Sequence, residues 1–131
     1  MLDVIGDIHA RSGDLVGALD NYRKELSTAK SIRHPEITNR ALGQIGRIHV
    51  KSKRYVDAIK VFDEKLPYTK EKSIERAWIL HDMGRCYLEL KKLDKAETFG
   101  ASSMVIADEL RDRRWGLNAR VLIAQSQGNL V

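Results

Sequence analysis

The stretch Leu80–Tyr87 reads LHDMGRCY and is one of three copies of the same pattern in the chain. Residues 42–49 read LGQIGRIH, and residues 2–9 read LDVIGDIH. Each copy has a large apolar residue, two variable residues, a second large apolar residue, glycine, two more residues and then histidine or tyrosine. The three glycines, at spacings of 40 and 38 residues, are Gly6, Gly46 and Gly84. Repetition at this period indicates an array of repeated structural units.

An alanine follows each glycine twelve residues later, and a further position four residues on completes the pattern. The alanines are Ala18, Ala58 and Ala96, and the later positions hold Tyr22, Phe62 and Gly100. Because glycine has no side chain, we expect each first helix to approach the alanine of its partner helix closely at these positions. An apolar-Gly-x-x-aromatic half followed by an Ala-x-x-x-aromatic half is typical of the tetratricopeptide repeat, a pair of antiparallel helices. The sequence therefore predicts an all-α fold, a right-handed superhelix of about 3.5 repeats.

We expect one tetratricopeptide-repeat domain over residues 1–131, since single domains often contain about 100–150 residues. The predicted repeats cover about 1–34, 35–71, 72–112 and a partial copy at 113–131. Seven helices are expected, near 1–11, 15–31, 36–52, 55–69, 72–91, 93–112 and 115–129. The partial copy has only a first helix, so we expect the chain to be a fragment of a longer protein, because repeat arrays end in capping elements.

The composition agrees with a helical protein in a reducing compartment. Two prolines in 131 residues and 6% aromatic residues favour helices over strands. The longest stretch without a charge, Val121–Val131, is far shorter than the roughly 20 residues of a membrane helix. A single cysteine excludes an internal disulfide framework. The net charge of +5 is too small to imply nucleic-acid binding, and we expect no membrane partner and a cytoplasmic location.

The repeat register predicts a partner-binding surface on the first helix of each pair. First helices line the concave side of a helix-pair array, where a partner commonly lies. We expect seven side chains to face this groove: Asp3, Asp7, Arg47, Lys51, His81, Arg85 and Gln125. An arginine can bind a partner carboxylate through two parallel hydrogen bonds. The alternative is that these arginines are solvated or form ion pairs within the array.

Basic residues also recur at the predicted turns. One set includes Lys53 and Arg54, and the other includes Arg111, Arg113 and Arg114. Both edges of the array would then be positive and would attract acidic partners such as tubulin surfaces or acidic coiled coils. The alternative is that these charges only keep exposed turns soluble.

No motif predicts catalysis, a cofactor or a metal site. His9, His49 and Tyr87 hold equivalent positions and are expected to fill aromatic positions in the core, without other ligands at metal-binding spacing. Cys86 is expected to be a small buried apolar residue. The chain has no phosphate-binding loop, dinucleotide fingerprint or Gly-x-Ser-x-Gly motif. We therefore expect a protein that is not an enzyme and that acts by binding other proteins.

Three stretches carry a closer resemblance. Trp78–Leu90 (WILHDMGRCYLEL), Leu117–Gln127 (LNARVLIAQSQ) and Ala41–Arg47 (ALGQIGR) resemble the tetratricopeptide-repeat subunit of the outer dynein arm docking complex. The resemblance implies a scaffold in the axoneme of motile cilia that helps attach outer dynein arms to doublet microtubules. It implies docking-complex coiled coils, dynein-arm components and tubulin as partners. It assigns no binding residues.

Two other classes of binding protein stay open. A polarity-type scaffold or adaptor that binds short helical or acidic peptide motifs is the closer alternative, because its repeats also have about 40 residues. A co-chaperone clamp for an acidic tail fits less well. Such clamps resemble one another in having lysine and asparagine on the groove face of the first repeat, and this chain has Asp3 and Asp7 there. A nucleic-acid regulator is not expected, because it would need a helix-turn-helix segment or a basic face with stacked aromatics, and the sequence shows neither.

Overall fold

The computed structural model describes residues 14–128, which contain six α-helices and one short 3-10 turn and no strand. The helices are α1 (Leu15–Ser31), α2 (Pro35–Lys51), α3 (Tyr55–Lys65), α4 (Ile74–Glu89), α5 (Leu93–Glu109) and α6 (Arg113–Ser126). The predicted all-α class is confirmed. The helix expected near 1–11 lies outside the described residues. None of the six helices is long and apolar enough to cross a lipid bilayer.

Several helix boundaries differ from the prediction by a few residues, and two of the differences have identifiable reasons. α3 ends at Lys65 and continues as the 3-10 turn Leu66–Tyr68, whereas the sequence predicted one helix over 55–69. Pro67 explains the change, because proline lacks the N–H that an α-helix needs and restricts the residue before it. α4 begins at Ile74 because the Ser73 hydroxyl accepts a hydrogen bond from Arg76 N at 3.1 Å, which caps the helix.

The chain forms two compact units, which divide after Tyr68. In the first unit, α2 packs against both α1 and α3. The core between α1 and α2 contains Ala18, Leu19 and Tyr22 together with Ile45 and Ile48, all buried. These residues recur every three or four positions along their helices, the spacing that places side chains on one helix face. The single repeat domain that the sequence predicts stays a prediction.

Gly46 makes room for an aromatic ring within the first unit. A Cβ atom at Gly46 would lie 2.8 Å from Phe62 Cζ and 2.9 Å from its Cδ1, well inside van der Waals contact. Phe62 lies on α3 and is fully buried. The prediction that Gly46 serves close approach of the two helices is confirmed, but the group that occupies the space is the Phe62 ring and not Ala58.

In the second unit, α4 packs against α5 and α6, and α5 also packs against α6. A Cβ atom at Gly84 would lie 3.3 Å from the Ala96 carbonyl oxygen, so the predicted approach to Ala96 is present. Its nearest neighbour would instead be Leu122 Cδ2, at 2.7 Å. The helix of the partial fourth repeat therefore covers the glycine of the third.

Four of the turns between helices share one backbone motif. Each has a residue with positive φ two positions after the helix end, and the next N–H bonds back to the carbonyl five residues earlier, as in His34 N to Ala29 O at 2.8 Å. Glycine is the usual residue at such a position, because it has no Cβ penalty. All four positions here are basic: Arg33, Lys53, Lys91 and Arg111, with φ of 54°, 58°, 63° and 57°.

Candidate partner-binding surfaces

On α2, the predicted surface residues Arg47 and Lys51 lie one helical turn apart and are both exposed. The residues flanking Arg47 in the chain, Gly46 and Ile48, are buried. Arg47 and Lys51 therefore share the solvent face of α2, because positions four apart are neighbours on a helix. This orientation agrees with the repeat register.

On α4, Arg85 is exposed and follows the buried Gly84. His81, one turn earlier, is buried, and its ring meets the Trp115 ring edge-on with centroids 5.3 Å apart. The His81 Nδ1 atom lies 3.3 Å from Asp82 Oδ1. His81 was expected to face the groove, and it is instead buried against Trp115 of α6.

The remaining predicted surface residues are less informative. Gln125 lies on α6 and is half-buried. Asp3 and Asp7 lie outside the described residues, so their placement stays a prediction. Arg47, Lys51 and Arg85 are accordingly the accessible charged members of the predicted surface.

His49 occupies a buried position on α2, as the equivalence with Tyr87 predicted. Among residues 14–128, its Nδ1 atom has no hydrogen-bond partner. Burial lowers the pKa of His49 from its usual value, the charges of Arg23 and Arg54 act in the same direction, and Asp57 opposes them. His49 is therefore a neutral core residue near pH 7.

The Cys86 thiol is buried, and burial is the main cause that raises its pKa to about 12, followed by the negative charge of Asp82. A thiol with so high a pKa is a poor nucleophile, because the thiolate is the reactive form. Within residues 14–128, no three histidine, cysteine or acidic side chains are placed to hold a metal ion.

One buried polar position recurs in all three repeats and was not recognised from the sequence. Seven residues after the repeat alanines stand Glu25, Lys65 and Ser103, all buried. Each makes a polar contact with a first helix of a pair: Glu25 with Arg40 at 3.4 Å, Lys65 with Asn39, and Ser103 with the Ala77 carbonyl oxygen at 2.7 Å. The repeat register itself carries the signal, since the three residues are 40 and 38 positions apart.

Hydrogen bonds to Asn39 accommodate the buried ammonium group of Lys65 in the first unit. Its Nζ atom donates to the Asn39 carbonyl oxygen at 2.7 Å and to Asn39 Oδ1 at 2.5 Å. Its side chain lies beside Gly43, where a Cβ atom would be 3.2 Å from Lys65 Cε. Hydrogen bonds to a buried charge offset part of its desolvation cost. Gly43 is buried, and the Lys65 side chain lies against it.

Comparison with curated proteins finds similarity to docking-complex subunits from several vertebrates. The chain is 40% identical over 126 residues to the outer dynein arm-docking complex subunit 4 of Bos taurus, and 40% identical over 126 residues to that of Mus musculus. The protein of the same name from Danio rerio is 36% identical over 132 residues. These subunits are homologues of the chain. No protein-family model matches it.

The alignments cover 95–96% of this chain but only 18–27% of these relatives. The chain thus spans about a fifth of the length of the two mammalian subunits. The resemblance in the sequence analysis is confirmed as homology to these docking-complex subunits over nearly the whole chain.

Proposed function

We propose that the chain is part of a non-catalytic scaffold that helps dock outer dynein arms onto axonemal doublet microtubules in motile cilia. The observation that carries this proposal is the homology to docking-complex subunits over 95–96% of the chain. The all-helical architecture supports it, because paired helices present extended faces to partners. The site of action is the axoneme, within the cytoplasmic compartment of the cilium.

We infer further that the helices pair as tetratricopeptide repeats. The constant interval between glycine and alanine supports this inference, and so does the packing of Phe62 into the space at Gly46. Partner contact is then assigned to the first helices of the pairs. On α2 the contact residues are Arg47 and Lys51, and on α4 the contact residue is Arg85, each exposed.

The recognition chemistry is that of carboxylates on a docking-complex coiled coil or a dynein-arm component. Arg47 on α2 and Arg85 on α4 each offer a guanidinium group that can bind a partner carboxylate bidentately. Asp3 and Asp7 contribute the opposite charge in the first repeat and orient the partner. Gln125 adds a polar contact from α6.

Affinity capture from a ciliated-cell extract tests this proposal. The bait is the wild-type protein, and the comparison is the double variant Arg47→Glu/Arg85→Glu, with helix content measured by circular dichroism. We expect the wild type to enrich docking-complex coiled coils and dynein-arm components, and the variant to lose most of this enrichment while it keeps its helix content.

A matched control makes the same change in net charge at residues that are not part of the proposed surface. Lys24→Glu/Lys60→Glu alters two exposed cations on α1 and α3, and it should leave capture unchanged. If the Arg47/Arg85 variant captured as much as the wild type, the assignment of these residues to partner contact would be refuted. Capture of heat-shock chaperones or cortical polarity proteins in place of axonemal proteins would refute the docking function itself.

A further inference from the structure

The turn between α5 and α6 concentrates three exposed arginines. Arg111 holds the left-handed backbone position, with a φ of 57°, and Arg113 and Arg114 form the first turn of α6. Asp112 between them accepts a hydrogen bond from Trp115 N at 2.9 Å through its Oδ1 atom and caps the helix. The carboxylate at the turn is thus directed to the backbone.

Other carboxylates near this turn are paired with other cations. Asp108 accepts hydrogen bonds from Arg120 at 3.0 Å and 2.8 Å, a bidentate arrangement. These hydrogen bonds lower the pKa of Asp108, so this carboxyl group stays ionised. Glu109 lies 3.9 Å from Lys72 Nζ. Within residues 14–128, none of the three turn arginines has an ion-pair partner.

Apolar side chains adjoin the same turn. Leu110 is 41% exposed and Leu117 is 63% exposed. A shallow depression of about 530 Å³ lies between the end of α5 and the start of α6, and Arg111, Arg113, Gly116 and Leu117 contribute to its lining. The Asp108–Arg120 ion pair also lines it and covers Gly116, where a Cβ atom would lie 3.1 Å from Asp108 Oδ1. Exposed leucines beside unpaired cations form a surface with two kinds of contact, apolar and anionic.

We propose that the α5–α6 turn is a docking surface for an acidic peptide of a partner protein, in which glutamate or aspartate residues alternate with a large apolar residue. The carboxylates bind Arg111, Arg113 and Arg114, and the apolar residue lies on Leu117 in the depression. Its residues are distinct from Arg47, Lys51 and Arg85. It does not depend on the proposed function.

The α4–α5 turn is also basic, but it carries lysines where the α5–α6 turn carries arginines. That turn has the same backbone motif and the same net charge from Lys91, Lys92 and Lys95, next to the exposed Leu93. Lysine offers a point charge without the planar fork that matches a carboxylate. Lys95 also lies over the Tyr87 ring, with Nζ 5.3 Å from the ring centroid. The lysine turn is therefore a matched surface that should bind the same peptide more weakly.

Fluorescence anisotropy with the full 131-residue chain tests the proposal. The probe is a fluorescein-labelled 12-residue peptide of repeating Glu-Glu-Leu, titrated at low and at moderate salt. The triple variant Arg111→Glu/Arg113→Glu/Arg114→Glu should lose at least tenfold in affinity. The control, Lys91→Glu/Lys92→Glu/Lys95→Glu, makes the same change in net charge and should stay within twofold of the wild type.

A second variant separates the apolar contact from the charges. Leu117→Ser should weaken binding of the Glu-Glu-Leu peptide severalfold and leave binding of an all-glutamate peptide unchanged. Equal losses in the arginine and lysine variants would mean that net charge alone acts, which would overturn the proposal. Absence of binding by the wild type, or tighter binding of a single-stranded oligonucleotide of equal charge, would overturn it as well.

Discussion

Replacement of Gly46 by alanine tests the packing between α2 and α3 most sharply. The added Cβ would lie 2.8 Å from Phe62 Cζ and 2.9 Å from Cδ1, about 1 Å closer than favourable carbon–carbon contact. Phe62 is fully buried, so its ring cannot move aside without displacing other core atoms. The substitution must therefore separate the two helices or tilt the ring.

Two opposing effects set the size of the expected change in the free energy of unfolding. Alanine improves helix propensity over glycine by about 1 kcal/mol. Overpacking of a dense core costs about 1–3 kcal/mol, and the rigid aromatic ring places this site in the upper half of that range. We therefore expect Gly46→Ala to lower the free energy of unfolding by about 1–2 kcal/mol, measured by urea denaturation with circular dichroism.

Gly43→Ala supplies the matched control on the same helix. Its Cβ would meet Lys65 Cε at 3.2 Å and Nζ at 3.3 Å, the far end of a flexible side chain. The gain in propensity is the same, so the two variants differ in what the methyl group meets. Gly46→Ala should be less stable than Gly43→Ala by at least about 1 kcal/mol, and equal or reversed stabilities would refute the packing argument.

Two further predictions concern a turn and a buried histidine. Lys53→Gly should raise the free energy of unfolding by about 0.5–1 kcal/mol, because glycine adopts a φ of 58° without the Cβ penalty; Lys53→Ala, which keeps the penalty, should not stabilise the protein in the same urea titration. His49 has a lowered pKa in the folded state, so the unfolded chain binds more protons and stability should fall as the pH drops below about 6.5. His49→Phe should flatten this fall between pH 7 and pH 5 in thermal melts, and an unchanged pH profile would contradict the assignment.

The repeat pattern predicted much of the fold because it reflects packing directly. Glycine, alanine and aromatic positions recur at intervals set by helix geometry, so α1 to α6 and the site of close approach at Gly46 followed from spacing. The partner of Gly46 did not follow, because spacing identifies a small residue without saying which side chain fills the space. Phe62 rather than Ala58 fills it.

The left-handed backbone conformation of four turn residues and the burial of polar side chains were harder to predict for a different reason. Arg111 and the three residues like it take a backbone conformation that sequence rules assign to glycine, so no local signal marked it. Lys65 is a residue type that is almost never fully buried unless paired. Its burial depends on Asn39 and Gly43 of the facing helix, a tertiary relation that composition does not contain.

The exposure of the predicted surface residues depends on whether another helix covers their helix face. Arg47 and Arg85 point to solvent, as their positions after the repeat glycines predicted. His81 lies at the position corresponding to Gly43, yet Trp115 of α6 packs against it. Helical periodicity specifies the face of a side chain and not which element packs on that face.

Electron microscopy of axonemes from ciliated cells that lack the full-length protein tests the docking function most directly. Cross-sections would be scored for outer dynein arms, inner dynein arms and doublet microtubules, with the restored wild-type protein as control. If the proposed docking function is correct, we expect outer dynein arms to be lost from intact doublets and to return when the wild-type protein is restored. A complete set of outer arms in the absence of the protein would contradict it.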